Sequence, residues 1–401
     1  MIPRLRPPFS LSSLLRAALP ADDAVEERFE RAFAEAFGFS HGLFFPYGRS
    51  ALYALLKGLG WADREVLCPA YTCSVVPHAI VLSGNRIRFA DSGINHFNVS
   101  PDALATALRP ETAMVVLTPL FGYPLDRAAC HAAIAARAPG AFVLYDLAQG
   151  FGAQDADGLQ AAGADAALFS FGIGKMMSTF YGGMLLLKDK TVHEAVRDYR
   201  NRHFAPALPQ GAGLLLYGLA TWLAFREPAL TVVDRLEHGT SLLDRFTKYY
   251  YATDRPRLPE DALVRPTRLQ SRLGLRELAH YQARVEARRA IARHYEERLG
   301  CEGVAVFGHS ATPTYSVFPL AVADPHSARR ALAARGIQVG TLIDYACPDL
   351  PGYELHAGTG PRARVWGRSM INLPNWPGMS RPAADRTVDA LLHWRDEAAR
   401  R

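Results

Sequence analysis

The 401-residue chain has little of what marks a membrane, secreted or metal-clustered protein. The apolar run AGLLLYGLATWLAF, residues 212–225, is too short to span a bilayer, which takes roughly 20 residues of helix. Its expected place is a buried helix or a helix at a subunit interface, with a contact along a membrane surface as the minor alternative. Cysteines number five (Cys68, Cys73, Cys130, Cys301, Cys347), without CxxC or metal-ligand spacing. That pattern excludes a disulfide framework, predicts no metal and fits free thiols in a reducing cytoplasm. Prolines break the N-terminal twenty residues, which contain no continuous apolar core of the kind a secretory signal needs. The net charge is +6, yet no Lys/Arg block is interleaved with aromatics, so nucleic acid is not an expected partner. A diffuse positive field favours small anionic substrates instead. Repeats and low-complexity tracts are absent.

What is present is an ordinary globular composition, 49% hydrophobic and 21% charged, in a chain long enough to bury a large core. Between residues 50 and 190, helical spacing alternates with short apolar runs. SALYALLKGLGW, SVVPHAIVLSG, SPDALATALRP and DRAACHAAIAARA read as helices; EVLCPA, RIRFAD, AMVVLTPLFG, AFVLYD, AALFSF and GGMLLLKD read as strands. Such alternation, with strands apolar on both faces, predicts an α/β domain with a mainly parallel sheet covered by helices. The Pro- and charge-rich stretch DRPRLPEDALVRP predicts a junction, which gives a large domain over 1–255, with 1–40 as an N-terminal arm, and a smaller C-terminal α+β domain over 256–401. The second unit opens on one long helical stretch, TRLQSRLGLRELAHYQARVEARRAIARHYEERLG.

In an open parallel sheet, ligands bind beyond the carboxyl ends of the strands. Asp146 is the first charged residue after the apolar run AFVLY, at such a point; it can serve chemistry or cap the following turn. Lys175 lies in SFGIGKMM, where Gly172 and Gly174 allow close approach of the backbone or simply mark a turn. Gly48, Arg49 and Ser50 stand where a loop enters a helix, a place whose free N–H groups suit phosphate, although Ser is also a common helix cap. Phosphate cradle, strand-end acid and lysine, in that order, match the needs of pyridoxal phosphate. Those needs are a lysine for the Schiff base, an acid at the pyridinium nitrogen and an anion site.

The set YGRSAL, VLCPAYTCSVVPHAIVLSG, RFADSGINHFNVSPDALATAL, YDLAQGFGA, FSFGIGK followed by YGG, RLQSRLGL and NLPNWPG resembles, in order and spacing, the DegT-type nucleotide-sugar aminotransferases. These are pyridoxal phosphate enzymes of fold type I. The resemblance runs from about residue 40 to the C-terminus. It implies that Lys175 is the Schiff-base lysine, Asp146 the partner of the pyridinium nitrogen, and Gln149 a hydrogen-bond partner of the cofactor's phenolic oxygen. Ser170, with Ser50 and the backbone of Gly48 and Arg49, would hold the phosphate. Tyr71 and Cys73 fall at the cofactor ring, and Arg265 falls where family members reach across to the partner's phosphate or an anionic substrate. A homodimer is implied.

The chain departs from the family pattern at several places. Cys73 replaces the usual stacking aromatic, Phe151 a frequent His, and Phe180-Tyr181 the Gly-Glu that normally precedes Gly182-Gly183. Leu263 stands for an Asn that a neighbouring subunit offers the phosphate, and Asn375-Trp376 for Leu-His. The expected activity is transfer of an amino group from glutamate or glutamine to a keto group on a sugar or a related small metabolite. A lyase, dehydratase or cyclising reaction on the same cofactor is the alternative, and a non-catalytic cofactor-binding regulator a third. Family dehydratases tend to carry His in place of the lysine, so Lys175 favours transamination.

Overall fold

The computed structural model describes the chain apart from residues 20–22, 157, 208–210, 227–228, 231–254, 310, 354–355 and 401, and apart from the side chains of 211 and 212. In chain order the first part contains α1 (Leu11–Ala17), α2 (Val25–Ala36), β1 (His41–Phe45), α3 (Gly48–Gly58), β2 (Glu65–Pro69), α4 (Val75–Leu82), β3 (Arg86–Ala90), α5 (Pro101–Ala107) and β4 (Thr112–Leu117). There follow α6 (Arg127–Arg137), β5 (Phe142–Asp146), a small hairpin of β6 (Gln154–Asp155) and β7 (Gly158–Leu159), β8 (Ala166–Ser170), β9 (Gly183–Leu187), α7 (Lys190–His203) and α8 (Gly211–Ala224).

Seven of these strands form one sheet in the order β1-β9-β8-β5-β4-β2-β3. From β8 to β3 all neighbours are parallel, and β9 alone runs against its neighbours β8 and β1. The mainly parallel sheet expected from the apolar runs is therefore present, and β2 and β9 are buried at every position. β1 is an additional strand that the sequence pattern did not reveal. Helix starts follow local chemistry: the Ser100 and Asp126 side chains each accept the N–H three residues on, which caps α5 and α6.

Seven phenylalanines, Phe29, Phe33, Phe37, Phe44, Phe151, Phe169 and Phe171, pack under one face of the sheet, with ring centroids 4.7 to 6.0 Å apart. Phe169 and Phe171 both enter this cluster, and strand alternation turns Ser170 between them the other way. The cluster thus sets the direction of one expected site residue. It also places Phe151, which fills the family's His position, in the core.

The helical stretch of the C-terminal part is two helices, Arg268–Leu278 and Tyr281–Cys301, broken at Ala279-His280. The first packs on α2 and α1. The second packs on the closing helix Arg381–Ala399, beside a two-stranded antiparallel sheet of Phe318–Ala321 and Met370–Leu373.

Helix α8 buries only one side. Leu214 and Gly218 face inward, where a Cβ on Gly218 would meet the Phe180 ring at 2.6 Å and Leu14 at 3.1 Å. Leu216, Tyr217 and Leu223 remain 66%, 43% and 57% exposed. Among the described residues no helix is long and apolar enough to cross a membrane.

Candidate active site

At the carboxyl end of β5, Asp146 is 3% exposed, and its Oδ1 accepts the Ala148 N–H at 3.0 Å. Burial pushes its carboxyl up from the usual range, while the Ala148 N–H and the positive charge of Lys175 pull the other way. Asp146 and Lys175, separated by a crossover in sequence, are thus within electrostatic reach of one another. Lys175 is half-buried in a loop that leaves the end of β8 and returns to β9, closed at its base by the Phe171 N–H donating to the Gly182 carbonyl at 2.9 Å. Inside the loop the Lys175 N–H donates to the Gly172 carbonyl at 3.0 Å.

Gly48 opens α3 directly beside these strand ends. A Cβ on Gly48 would lie 3.5 Å from the Ser170 Cβ, and a Cβ on Gly183 would strike the Gly48 nitrogen at 2.4 Å. Gly183 pairs with both Phe45 and Ser170, so β9 admits the start of α3 only because position 183 has no side chain. The first turn of α3 has no side-chain cap, which leaves its N–H groups and the positive end of its dipole facing Ser170. Ser50 is fully buried, and its Oγ finds no hydrogen-bond partner among the described residues. The same is true of Thr72 Oγ1, just beyond β2, and of Thr118 Oγ1, just beyond β4. Buried hydroxyls without partners are uncommon in native proteins, and here three of them lie at strand ends or at a helix start on the ligand side of the sheet.

Gln149 is buried, and its Oε1 accepts the Phe121 N–H at 3.0 Å. That contact braces the turn after β4, where Phe121 holds a left-handed φ of 57°, a strained conformation for a non-glycine residue. The amide nitrogen of Gln149 keeps its donors for another group. Tyr71 is buried and donates its hydroxyl to the Ile343 carbonyl at 3.0 Å, tying the end of β2 to the C-terminal part. An aromatic ring does stand beside Cys73: Tyr345, whose hydroxyl accepts the Ser74 N–H at 2.9 Å and whose phenol is pushed up by burial and then by Cys73 and Cys347. No sequence signal marked Tyr345, because it comes from a segment far away in the chain.

Arg49 lies over the Tyr47 ring at 5.9 Å. Tyr47 stacks on Tyr181 at 5.6 Å and donates its hydroxyl to both carboxylate oxygens of Asp261, at 2.9 and 2.8 Å. Asp261 was also missed, and it anchors the segment that carries Leu263 and Arg265. The Arg265 guanidinium pairs with Glu26 of its own chain at 2.7 Å. Trp376, at the Leu-His position, is buried; its Nε1 donates to the Pro3 carbonyl at 3.0 Å, and Arg6 covers its ring at 4.1 Å. The N-terminal arm therefore reaches the loop of Lys175, with Leu5 placed 3.3 Å from where a Cβ on Gly174 would stand.

This geometry agrees with the comparisons. A model of the DegT/DnrJ/EryC1/StrS aminotransferase family matches residues 19–210, the stretch holding α3, Asp146 and Lys175. A dTDP-3-amino-3,4,6-trideoxy-alpha-D-glucose transaminase of Streptomyces venezuelae is 27% identical over 378 residues, covering 92% of this chain and 86% of its own. The protein EryC1 of Saccharopolyspora erythraea is 27% identical over 376 residues, covering 91% and 88%. Among solved structures, the aminotransferase TlmJ of Streptoalloteichus hindustanus superposes with a TM-score of 0.76 at 20% identity, covering 99% of this chain and all of that one. Fold, motif order and relatives all liken the chain to the DegT/DnrJ/EryC1/StrS aminotransferase family.

Proposed function

We propose that the protein is a pyridoxal phosphate-dependent aminotransferase that moves an amino group from glutamate or glutamine to a keto group on a nucleotide-linked sugar. The observation that carries this reading is the pairing of a buried acid, Asp146, with Lys175, on the side of the sheet where buried hydroxyls find no partner among the described residues. The named activity of the Streptomyces venezuelae relative on a dTDP sugar supports the substrate class.

The residues fit the cofactor. Ser50, Ser170 and the N–H groups at the start of α3 offer a phosphate site, and the orphaned Ser50 Oγ is the atom a phosphate oxygen would satisfy. Asp146 would keep a proton on the ring nitrogen: its burial is costly for an isolated carboxylate, and a cationic partner offsets that cost. Gln149, oriented by Phe121, would direct its amide nitrogen to the phenolic oxygen. When bound, pyridoxal phosphate supplies an aldehyde that condenses with amines and a ring that withdraws electrons from the carbon bearing the amine. The Nζ of Lys175 would anchor the aldehyde and, once displaced by the donor's amine, take a proton from the substrate carbon. Tyr345 and Cys73 would line the ring's surroundings, with Tyr71 holding that wall to the C-terminal part.

The test is the half-reaction. Glutamate added to the cofactor-loaded protein yields one 2-oxoglutarate per site, and a nucleotide-linked keto sugar then restores the starting spectrum. A cofactor band that no amino acid alters contradicts the reading.

We further propose a homodimer, as the likeness to that family suggests. Arg265 can serve a neighbouring subunit only by leaving Glu26. Sedimentation at low micromolar concentration tests the dimer, and mixed Lys175→Ala and Arg265→Ala subunits regain activity only if Arg265 acts across the boundary.

A further inference from the structure

Helix α8 and the N-terminal helix α1 pack together, and each leaves large apolar side chains exposed. On α8 the outward residues Gly213, Leu216, Tyr217, Ala220 and Leu223 recur at three- and four-residue spacing and are all exposed, so they form one stripe along the helix. From Phe204 to Phe225 the sequence has no charged side chain. Leu15 on α1 and Leu19, two residues past its end, are 49% and 59% exposed and add further apolar side chains. The inner face of α8 is already satisfied by Leu14, Phe180, Leu269 and Leu273, so the outer stripe is not the helix's packing face left unused. It is a second apolar face.

Beside it opens a groove of about 1300 Å³. Arg16, Arg28, Arg226, Arg272, Arg276 and Arg284 line it, and among the described residues no Asp or Glu does. Glu277 pairs with Arg284 at 2.7 Å from a fully buried position. Arg226 folds over the Trp222 ring at 3.7 Å, at the end of α8 where stripe and groove meet. An apolar stripe bordered by a cationic groove is complementary to one kind of surface, with anionic phosphates outside and hydrocarbon just beneath. A second copy of the chain fits less well. A two-fold contact through this face would set the same arginines against one another.

We propose that the α1–α8 face docks the protein onto an anionic lipid bilayer. Leu216, Tyr217, Leu223, Leu15 and Leu19 enter the boundary of the acyl region, and the groove arginines take lipid phosphates. With fourteen residues, α8 lies in the plane of the membrane and does not span it. The guanidinium fork suits phosphate oxygens. This inference is independent of the proposed amino transfer.

Sedimentation with vesicles of phosphatidylcholine alone, and with a third phosphatidylglycerol, tests the proposal on the full-length, cofactor-loaded protein. The result expected is co-sedimentation with the phosphatidylglycerol vesicles at least tenfold stronger than with phosphatidylcholine alone, and weakened by added salt. Leu216→Asp with Leu223→Asp should abolish it. Both positions are exposed, so the fold and the solution activity stay intact. Arg16→Glu with Arg276→Glu should remove the preference for phosphatidylglycerol. No binding to the anionic vesicles overturns the proposal, as does binding that these four substitutions leave unchanged. Dissociation of a lipid-free dimer by Leu216→Asp with Leu223→Asp also overturns it, and would assign the face to a second copy.

Discussion

On the ligand side of the sheet the chain leaves polar atoms without partners among the described residues, whereas around Phe180, five residues after Lys175, it leaves apolar side chains exposed. Ser50, Thr72 and Thr118 are buried hydroxyls without a partner among the described residues; Leu216 and Leu223 are large apolar groups that stand exposed. One loop joins the two regions. Its lysine faces the strand ends, and its Phe180, held at a φ of 73°, plugs into α8 with its ring 5.2 Å from Phe9. A folded chain states what it lacks in the kind of group it leaves unsatisfied. Orphaned hydroxyls and a buried acid ask for a polar, charged ligand, while an open apolar stripe with an arginine border asks for an amphipathic surface.

The largest expected effect separates the lysine from the scaffold around it. Lys175→Ala should lower turnover by on the order of 10^4-fold, while the melting temperature stays within about 2 °C, because a half-buried loop side chain contributes little to packing. Steady-state assays and differential scanning calorimetry on the same preparation read both. Asp146→Asn comes next: turnover should fall by about 10^3-fold while the cofactor is retained, since the ring nitrogen loses its counter-charge but the phosphate site is untouched. Near-normal kcat in that variant would break the link between burial of this acid and chemistry.

Ser50→Ala sharpens the comparison. Its hydroxyl has no partner among the described residues, so the cofactor-free variant should be as stable as wild type, while cofactor dissociation becomes about tenfold easier through loss of one hydrogen bond to a charged group. Equal loss of stability with and without cofactor would show that the hydroxyl serves the fold.

The smallest effect belongs to the other region. Burial pushes the Glu277 carboxyl up to about 7, against the pull of Arg284. A folded-state value above the unfolded one of 4.5 means that the folded chain holds this proton more tightly, so stability is lost as pH rises from about 4.5 to 7. The melting temperature of Glu277→Gln relative to wild type should therefore climb across that window and level off above it. A difference that is flat with pH would show that Glu277 is ionised throughout.

Much of this was legible in the sequence because short buried strands announce themselves. EVLCPA, AFVLYD and GGMLLLKD became β2, β5 and β9, and Gly48, Asp146 and Lys175, singled out from their order along the chain, stand at a helix start, at a strand end and in the loop after β8. β1 was not legible, since HGLFF is brief and merges into the helix start at Gly48. The contacts of Tyr345 with Ser74 and of Asp261 with Tyr47 span 271 and 214 residues, beyond any local pattern. Residues 212–225 were read as one apolar helix, but periodicity cannot tell a helix buried on all sides from one with an open face. Only the exposure of Leu216 and Leu223 separates the two.

Lys175 and Asp146 are proposed to form a site for amino transfer. The most direct measurement is borohydride reduction of the cofactor-loaded protein followed by peptide mapping, with and without prior glutamate. One reduced pyridoxyl group per chain is expected, on residue 175, and its loss after glutamate treatment together with one equivalent of 2-oxoglutarate. A label on any other lysine, or a label at 175 that glutamate leaves in place, contradicts it.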